Sequence, residues 1–343
     1  MLSAMAHRPT SARLSDVASA AGVSLSTASR ALAEPELVLP ATRARILEAA
    51  ARLGYVPHGA ARALASRRSR TLGAVVPTLD NPIFAASTQA LQQRIAREGY
   101  TLLVGAHEYD LEAEVKVVSA LVERGVDGVV LVGLDHHPDL HRLLAKAAIP
   151  FELTWATDAS GIHHSLGFSN RLAAASVAQH LMELGHRDFA MISGRTTSND
   201  RARERVAGVR EALAARGLEL PARRVLETPF GIAAGRAALG RLLSAGERFT
   251  ALVCGNDLLA IGALLESAAR GIAVPRQLSV TGFDDIELAG EFSPALTTIH
   301  LPVADIGRIA AERMLARLGG ADVPKSHDIP VQLVVRASTA APG

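Results

Sequence analysis

Hydrophobic residues recur at two different periods along the chain, and the rhythm changes near residue 70. Before that point the runs are short and helical. Ser15 to Ala21 carries Val17, Ala18 and Ala21 at helical spacing and stops at Gly22. Ser24 follows as an N-cap, its hydroxyl placed to accept from the backbone N–H of Ser26 or Thr27. A second helix is predicted from about Leu25 to Leu32, ending before Pro35. A third begins after Pro40, a residue suited to a first helical turn, carries Ile46, Leu47, Ala50 and Leu53 on one face, and stops at Gly54. Three compact helices, the first two joined by a tight glycine turn, describe a helix-turn-helix unit.

Beyond Thr71 the pattern alternates. Strand-like apolar runs at Thr71–Pro77, Thr101–Gly105, Gly128–Gly133 and Phe151–Trp155 are separated by amphipathic stretches at about Ile83–Glu98, Leu111–Arg124 and Leu140–Ala147. The rhythm restarts with helix Asn170–Leu184, strand Phe189–Ser193, helices Asn199–Arg216 and Gly231–Ala245, strand Ala251–Cys254, helix Asp257–Arg270 and strand Leu278–Gly282. Such alternation predicts parallel sheets with helices on both faces. Two runs of it predict two similar lobes, with a ligand at the C-terminal ends of the strands, in the cleft between them. The stretch from His58 to Ser66, followed by Arg67, Arg68 and Arg70, is too short for a core of its own and reads as a linker.

Composition narrows the class. The 343 residues suffice for two or three domains, and 49% hydrophobic with 20% charged residues excludes a disordered chain. A single cysteine, Cys254, excludes a disulfide scaffold and a cysteine zinc module; within its apolar strand it reads as a small buried hydrophobe, not a nucleophile. Met1 to Arg13 lacks the apolar core of a secretory signal, and the run from Ala251 to Leu265 is broken by Asn256 and Asp257 before it could span a membrane. A soluble protein of a reducing compartment, the cytoplasm, is expected. Net charge is +2, but residues 1–70 hold ten Arg against four acids, a net of +6, and the remainder carries −4. A basic head on an acidic body suits one end that meets a polyanion, although 33 Arg to three Lys also fits a GC-rich genome. Catalytic signatures are missing: no Walker loop, no GxGxxG after a strand, no HExxH, no GxSxG. His136, His137 and His141 contain an i,i+4 pair, yet read better as a solvated loop and helix start than as metal ligands, and His163–His164 likewise.

The head is more specific. The run from Leu14 to Arg30 (LSDVASAAGVSLSTASR) resembles the DNA-binding domain of the LacI/GalR family of bacterial repressors. The resemblance continues through Thr42-Arg43, Leu53-Gly54-Tyr55-Val56-Pro57 and Ala61 to Ala65, then through Asn81-Pro82-Ile83-Phe84, Asp127-Gly128, Leu184-Gly185-His186-Arg187, Gly255-Asn256-Asp257, Gly282-Phe283-Asp284-Asp285 and Leu296-Thr297-Thr298-Ile299. It implies a helix-turn-helix domain over 1–57, a hinge helix and linker over 58–70, and a two-lobed core, like that of periplasmic binding proteins, over 71–343. The first lobe would take about 71–167 and 300–329, the second about 168–299 and 330–341.

The resemblance also assigns roles. Leu25, Ser26 and Arg30 would face base edges in the major groove, after the Ser24 cap, while Thr27 and Ser29 would touch phosphate. Ala61 to Ala65, with Arg62, would lie in the minor groove, and Leu64 would wedge between base steps; the bland alternative is a linker leucine packed on the body. Arg13 and Leu39 replace helix-capping residues usual in the family, so the first helix end is expected to fray or borrow Ser11, and Pro40 to compensate in part for Leu39. His58 stands where Asn is common, and Gly59 loosens the hinge.

In the core, Arg205, Asn256 and Asp284 would form the polar part of an effector cleft, and Phe84, Trp155 and Phe230 its apolar wall, with core packing as the alternative for the three aromatics. Asp257 is expected to cap its helix and Asp285 to hold a turn, while Arg201 and Arg203 read equally well as surface charges flanking Arg205. The stretches Ile149 to Trp155 and Leu166 to Asn170 look like the gluconate-utilisation branch, which implies a sugar-acid effector bound through Arg205. The expected protein is a homodimeric regulator on a pseudo-palindromic operator in double-stranded DNA, without cofactor, metal or membrane partner. After Ser338-Thr339 no heptad repeat follows, so a dimer and not a coiled-coil tetramer is expected. A free sugar-binding protein or a sugar-converting enzyme on the same core is the alternative. The basic head and the poor general base that Asp284 would make beside Arg205 weigh against both.

Overall fold

A computed structural model describes residues 12–33, 35–55 and 68–343. It divides into two compact units, residues 1–70 and 71–343. The hinge residues Arg62 and Leu64, with Ser11, His58 and Gly59, lie outside the described residues.

The head consists of α1 (Leu14–Ala20), α2 (Leu25–Ala33), a 3-10 turn at Pro35–Leu37 and α3 (Pro40–Leu53). Its small core gathers Val17, Ala21, Ala31, Ile46, Ala49 and Ala50. Alanine at most of these positions lets three short helices approach closely. Two expectations for this unit need correction. Leu47 and Leu53 are 45% and 38% exposed, because Ala49 and Ala50, a turn beyond Ile46, take the inner face. The start of α1 does not depend on a cap at Arg13: its backbone N–H donates to the Asp16 carboxylate at 2.8 Å. Ser24 behaves as expected, its Oγ accepting from the Thr27 N–H at 3.1 Å. Leu39 precedes α3 without a side-chain cap, and Pro40 occupies the first turn.

The larger unit contains two parallel sheets. The first lobe has strands β1 (Thr71–Val76), β2 (Thr101–Ala106), β3 (Gly128–Val132), β4 (Phe151–Thr154) and β5 (Ser165–Gly167), alternating with α4 (Pro82–Ala96), α5 (Leu111–Glu123) and α6 (Pro138–Lys146). The second follows with α7 (Asn170–Glu183), β6 (Phe189–Gly194), α8 (Asp200–Ala214), β7 (Val225–Thr228), α9 (Ile232–Ser244), β8 (Ala251–Cys254), α10 (Asp257–Ala269), β9 (Ser279–Thr281) and α11 (Glu287–Glu291). The chain then recrosses through β10 (Thr298–His300) to α12 (Val303–Leu318) and β11 (Ser326–Asp328), and returns in β12 (Gln332–Val334). Sheet orders are β11-β5-β4-β3-β1-β2 and β7-β6-β8-β9, all pairings parallel, while β10 and β12 form an antiparallel ribbon.

Continuous apolar strands are required because both sheet faces are covered. In β8, Ala251 and Val253 enter one core and Leu252 and Cys254 the other; β6 divides Phe189 and Met191 from Ala190 and Ile192 in the same way. Cys254 is buried, and burial pushes its thiol up, away from nucleophilic use.

Candidate functional site

On the head, Ser24, Leu25, Ser26 and Arg30 are exposed at and along α2, and Thr27 and Ser29 are half-buried behind them. Leu25 is 54% exposed, a large apolar side chain left in solvent.

In the core, the six residues assigned to a cleft come together. Phe84, Trp155, Arg205, Phe230, Asn256 and Asp284 line one inner pocket of about 20 Å³ between the lobes. It adjoins an outer cleft of about 880 Å³, with Asn81, Tyr109, Asn199 and Phe230 on both. Seven of the twelve residues lining the inner pocket follow the C-terminal end of a parallel strand: Asn81 after β1, Tyr109 after β2, Trp155 after β4, Asn199 after β6, Phe230 after β7, Asn256 after β8 and Asp284 after β9. Asn81, Tyr109 and Asn199 were not singled out as cleft residues from the sequence, and Arg201 only as a charge flanking Arg205. The strand-end rule was the signal available for them.

Arg205 is held on several sides. Its Nε donates to Asn170 Oδ1 at 2.9 Å, Nη1 donates to the Gly255 carbonyl at 2.6 Å, and its guanidinium carbon lies 3.7 Å above the Phe283 ring. Burial lowers its pKa to about 10, opposed mainly by the Asp284 charge, so it stays a cation at neutral pH. Asn170 also donates to the Trp155 carbonyl at 3.0 Å, tying the charged group to the aromatic wall. Trp155, at φ +70°, meets Phe84 edge-on with 5.1 Å between ring centres. Both are also part of the main core, so the wall and core readings hold together for these two rings. Phe230 is half-buried and lies 5.9 Å from Tyr109 across the cleft, over Gly194, where a Cβ would come within 2.1 Å of its ring.

Asn256 caps α10 through Oδ1, which accepts from Leu259 N–H at 3.0 Å and so leaves Nδ2 facing the pocket. That Nδ2 and Asp284 Oδ1 are buried with no hydrogen-bond partner among the described residues. Asp284 Oδ1 has the Arg205 guanidinium at 3.9 Å but no hydrogen bond, and Asn256 Nδ2 has neither, an arrangement that is costly unless a ligand or ordered water meets them. Asp257 is therefore not the cap: its carboxylate accepts from the Ile286 N–H and the Thr298 hydroxyl, at 2.9 and 2.6 Å. Burial pushes the Asp257 and Asp284 carboxyls up. Asp257 also feels the Asp284 charge, while Arg205 and then Asn81 pull Asp284 down. Asp285 does more than hold a turn, pairing with His300 at 2.8 Å and Arg336 at 2.7 Å and so joining the crossing segments.

The two flanking arginines differ, and one histidine reading changes. Arg201 is buried: it is 7% exposed, paired with Asp200 at 2.9 Å, and lines the inner pocket. Arg203 is an exposed charge, as the surface reading has it, and pairs with Asp135. His136 is not solvated, its side chain being fully buried against Glu114 at 3.0 Å, whereas His137 does mark the helix start, accepting from Asp139 N–H at 3.2 Å. His141 stacks on His163 with 4.7 Å between rings. Among the described residues no group of three or more His, Cys, Asp or Glu is arranged to hold a metal ion. None of the helices among them is long and apolar enough to cross a membrane.

A three-helix head with a glycine turn, joined in one chain to a two-lobed parallel α/β core with a polar cleft, defines an effector-responsive DNA-binding regulator. Residues 13–58 match the model for bacterial regulatory proteins of the lacI family, and residues 178–339 match the periplasmic binding protein-like domain. The chain is 33% identical over 332 residues to the HTH-type transcriptional repressor PurR of Aliivibrio fischeri (strain MJ11), covering 95% of this chain and 98% of that protein. It is 34% identical over 334 residues to the HTH-type transcriptional regulator GntR of Pseudomonas aeruginosa, covering 97% and 96%. A crystal structure of the lac repressor dimer bound to operator and the anti-inducer ONPF superposes with a TM-score of 0.84 at 28% identity, over 96% of this chain and 99% of that one. The protein belongs to the LacI family of transcriptional regulators, and it is a regulator, not an enzyme.

Proposed function

We propose that the protein is a cytoplasmic, homodimeric repressor of a sugar-acid operon, released from or recruited to a pseudo-palindromic operator by a gluconate-like effector in the interlobe cleft. The observation that carries the effector class is the polar floor that the inner pocket, at about 20 Å³ too small for a sugar acid by itself, gives to the outer cleft of about 880 Å³. Two buried guanidinium groups, Arg201 and Arg205, share this floor with Asn256 Nδ2 and Asp284 Oδ1, neither of which is hydrogen-bonded to another described residue. A carboxylate needs a cation and adjacent hydroxyls need a donor and an acceptor, so a polyhydroxy acid uses every group on offer. Phe84, Trp155 and Phe230 supply the apolar wall for the carbon face of such a molecule. The likeness to a GntR regulator supports the same class.

On the DNA side, Leu25, Ser26 and Arg30 read bases, Thr27 and Ser29 hold phosphate, and Arg62 and Leu64 act in the minor groove. A dimer on operator is what the lac repressor structure contains, and twofold symmetry then dictates the pseudo-palindrome.

Calorimetric titration of the full-length protein with gluconate, phosphogluconate, neutral hexoses and purine bases tests the reading, followed by gel shift on DNA upstream of the neighbouring genes. Gluconate or its phosphate should bind and alter the shift. Binding restricted to neutral sugars or to purines overturns the sugar-acid assignment.

A further inference from the structure

Two segments from opposite lobes meet at the rim of the cleft. The segment after β3, Gly133 to His136, belongs to the first lobe, and the start of α8, from Asp200 to Arg205, belongs to the second. Arg203 grips Asp135 with both terminal nitrogens, Nη1 to Oδ2 and Nη2 to Oδ1, each at 2.8 Å. Its Nη1 also donates to the Thr196 carbonyl at 3.1 Å, which fixes the direction of the fork.

Arg201 presses on the same first-lobe segment from within the pocket. Gly133 has φ +90°, and a Cβ there would come within 1.7 Å of Arg201 Nη1, so this approach needs glycine. The receiving segment is braced from behind. His136 Nδ1 lies 3.0 Å from both Glu114 oxygens, and its Nε2 lies 3.1 Å from the Gly133 carbonyl. Both ring nitrogens thus lie within hydrogen-bond reach of oxygen atoms, which fixes the plane of the ring. Glu114, on α5, is 1% exposed, so the brace is anchored in the core.

We propose that Asp135 and Arg203 are positioning residues that latch the two lobes and thereby set where Arg201 and Arg205 stand relative to the first-lobe wall, without touching the effector. The proposal rests on the cleft being the effector site. Its physical basis is the spacing along α8. Arg201 and Arg205 lie one turn apart and line the pocket, while Arg203 between them reaches the rim. Half-exposed ion pairs within one rigid body contribute little. Across a cleft the same pair exists in only one lobe arrangement, so its whole free energy biases the equilibrium between arrangements.

The test uses the full-length protein. Cys254 is its one cysteine and is buried, so cysteines introduced at exposed positions on each lobe, Glu123→Cys and Arg216→Cys, take spin labels selectively. Interlobe distances are measured in dimers with a single labelled protomer, without any ligand, in the parent and in Asp135→Asn, Arg203→Gln and the swap Asp135→Arg plus Arg203→Asp. Each single change should lengthen or broaden the distance distribution and the swap should restore it. Gluconate titration of the same variants should show affinity weakened about two- to tenfold in the single changes, chiefly through faster dissociation, and recovered in the swap. An unchanged distribution in both single variants, or a swap no better than either, overturns the latch. Failure of the parent to bind gluconate overturns the effector assignment alone, because the distance measurement needs no effector.

Discussion

Arg30 and Arg205 each occupy the sixth position of a helix, yet the head and the core use the same side chain in opposite ways. Arg30 stands exposed on α2. Arg205 is buried, hydrogen-bonded to Asn170 and Gly255, laid on Phe283 and faced by Asp284. An exposed guanidinium keeps its hydration and its freedom until DNA arrives, and what it contributes then is screened by salt. A buried one has been stripped of water during folding, so its orientation is fixed before any ligand enters. The head is thus built for a long polyanion whose position must be searched for, and the core for a small molecule met at a fixed place.

The comparison can be broken most directly at Arg205. Arg205→Ala leaves Asp284 buried without its cation and should lower the stability of the core by about 3–5 kcal/mol, read by denaturant unfolding, and abolish gluconate binding. A variant that unfolds like the parent would show that Arg205 is not held as described. Arg30→Ala should leave stability unchanged and weaken operator binding by about 1–3 kcal/mol, with little loss on random DNA. Equal loss on both would make Arg30 a phosphate contact, and a flat dependence of head binding on salt would remove the contrast altogether. Ser24→Ala deletes the cap of α2 and should lower the head's stability by about 1 kcal/mol, with effector affinity untouched. The smallest effect is one of pH. Because Asp257 and Asp284 hold protons to higher pH in the fold than in the unfolded chain, the folded core carries the extra protons. Core stability should therefore fall as pH rises out of the ordinary carboxylate range, and Asp284→Asn should flatten that fall. A parent core equally stable from about pH 4 to about pH 7 would contradict it.

The two-lobed core was legible because its strands are buried on both faces and its helices on one, which leaves a strong alternation from Thr71 to Gly282. The strand Val225–Thr228 was not, since it lies at a sheet edge and carries mixed polar and apolar residues. The last crossing was equally silent. Strands of three residues such as Thr298–His300 and Ser326–Asp328 are too short for any period to show. The six cleft residues were legible through motifs shared with a family. Tyr109 and Asn199 sit in loops whose side chains acquire meaning only when two lobes face each other. Asp135 and Arg203 are 68 positions apart and surrounded by other charges, so nothing local marks them as partners.

The order of the first sheet has a consequence for how the molecule is made. Its edge strand β11 lies beside β5 but is synthesised about 160 residues later, after most of the second lobe. The head, by contrast, is one uninterrupted stretch that contains its own core. On the ribosome the DNA-binding part can therefore fold while the first lobe still waits for residues 326–328 to emerge. Nascent chains should acquire the ability to touch DNA well before they acquire the ability to respond to a metabolite.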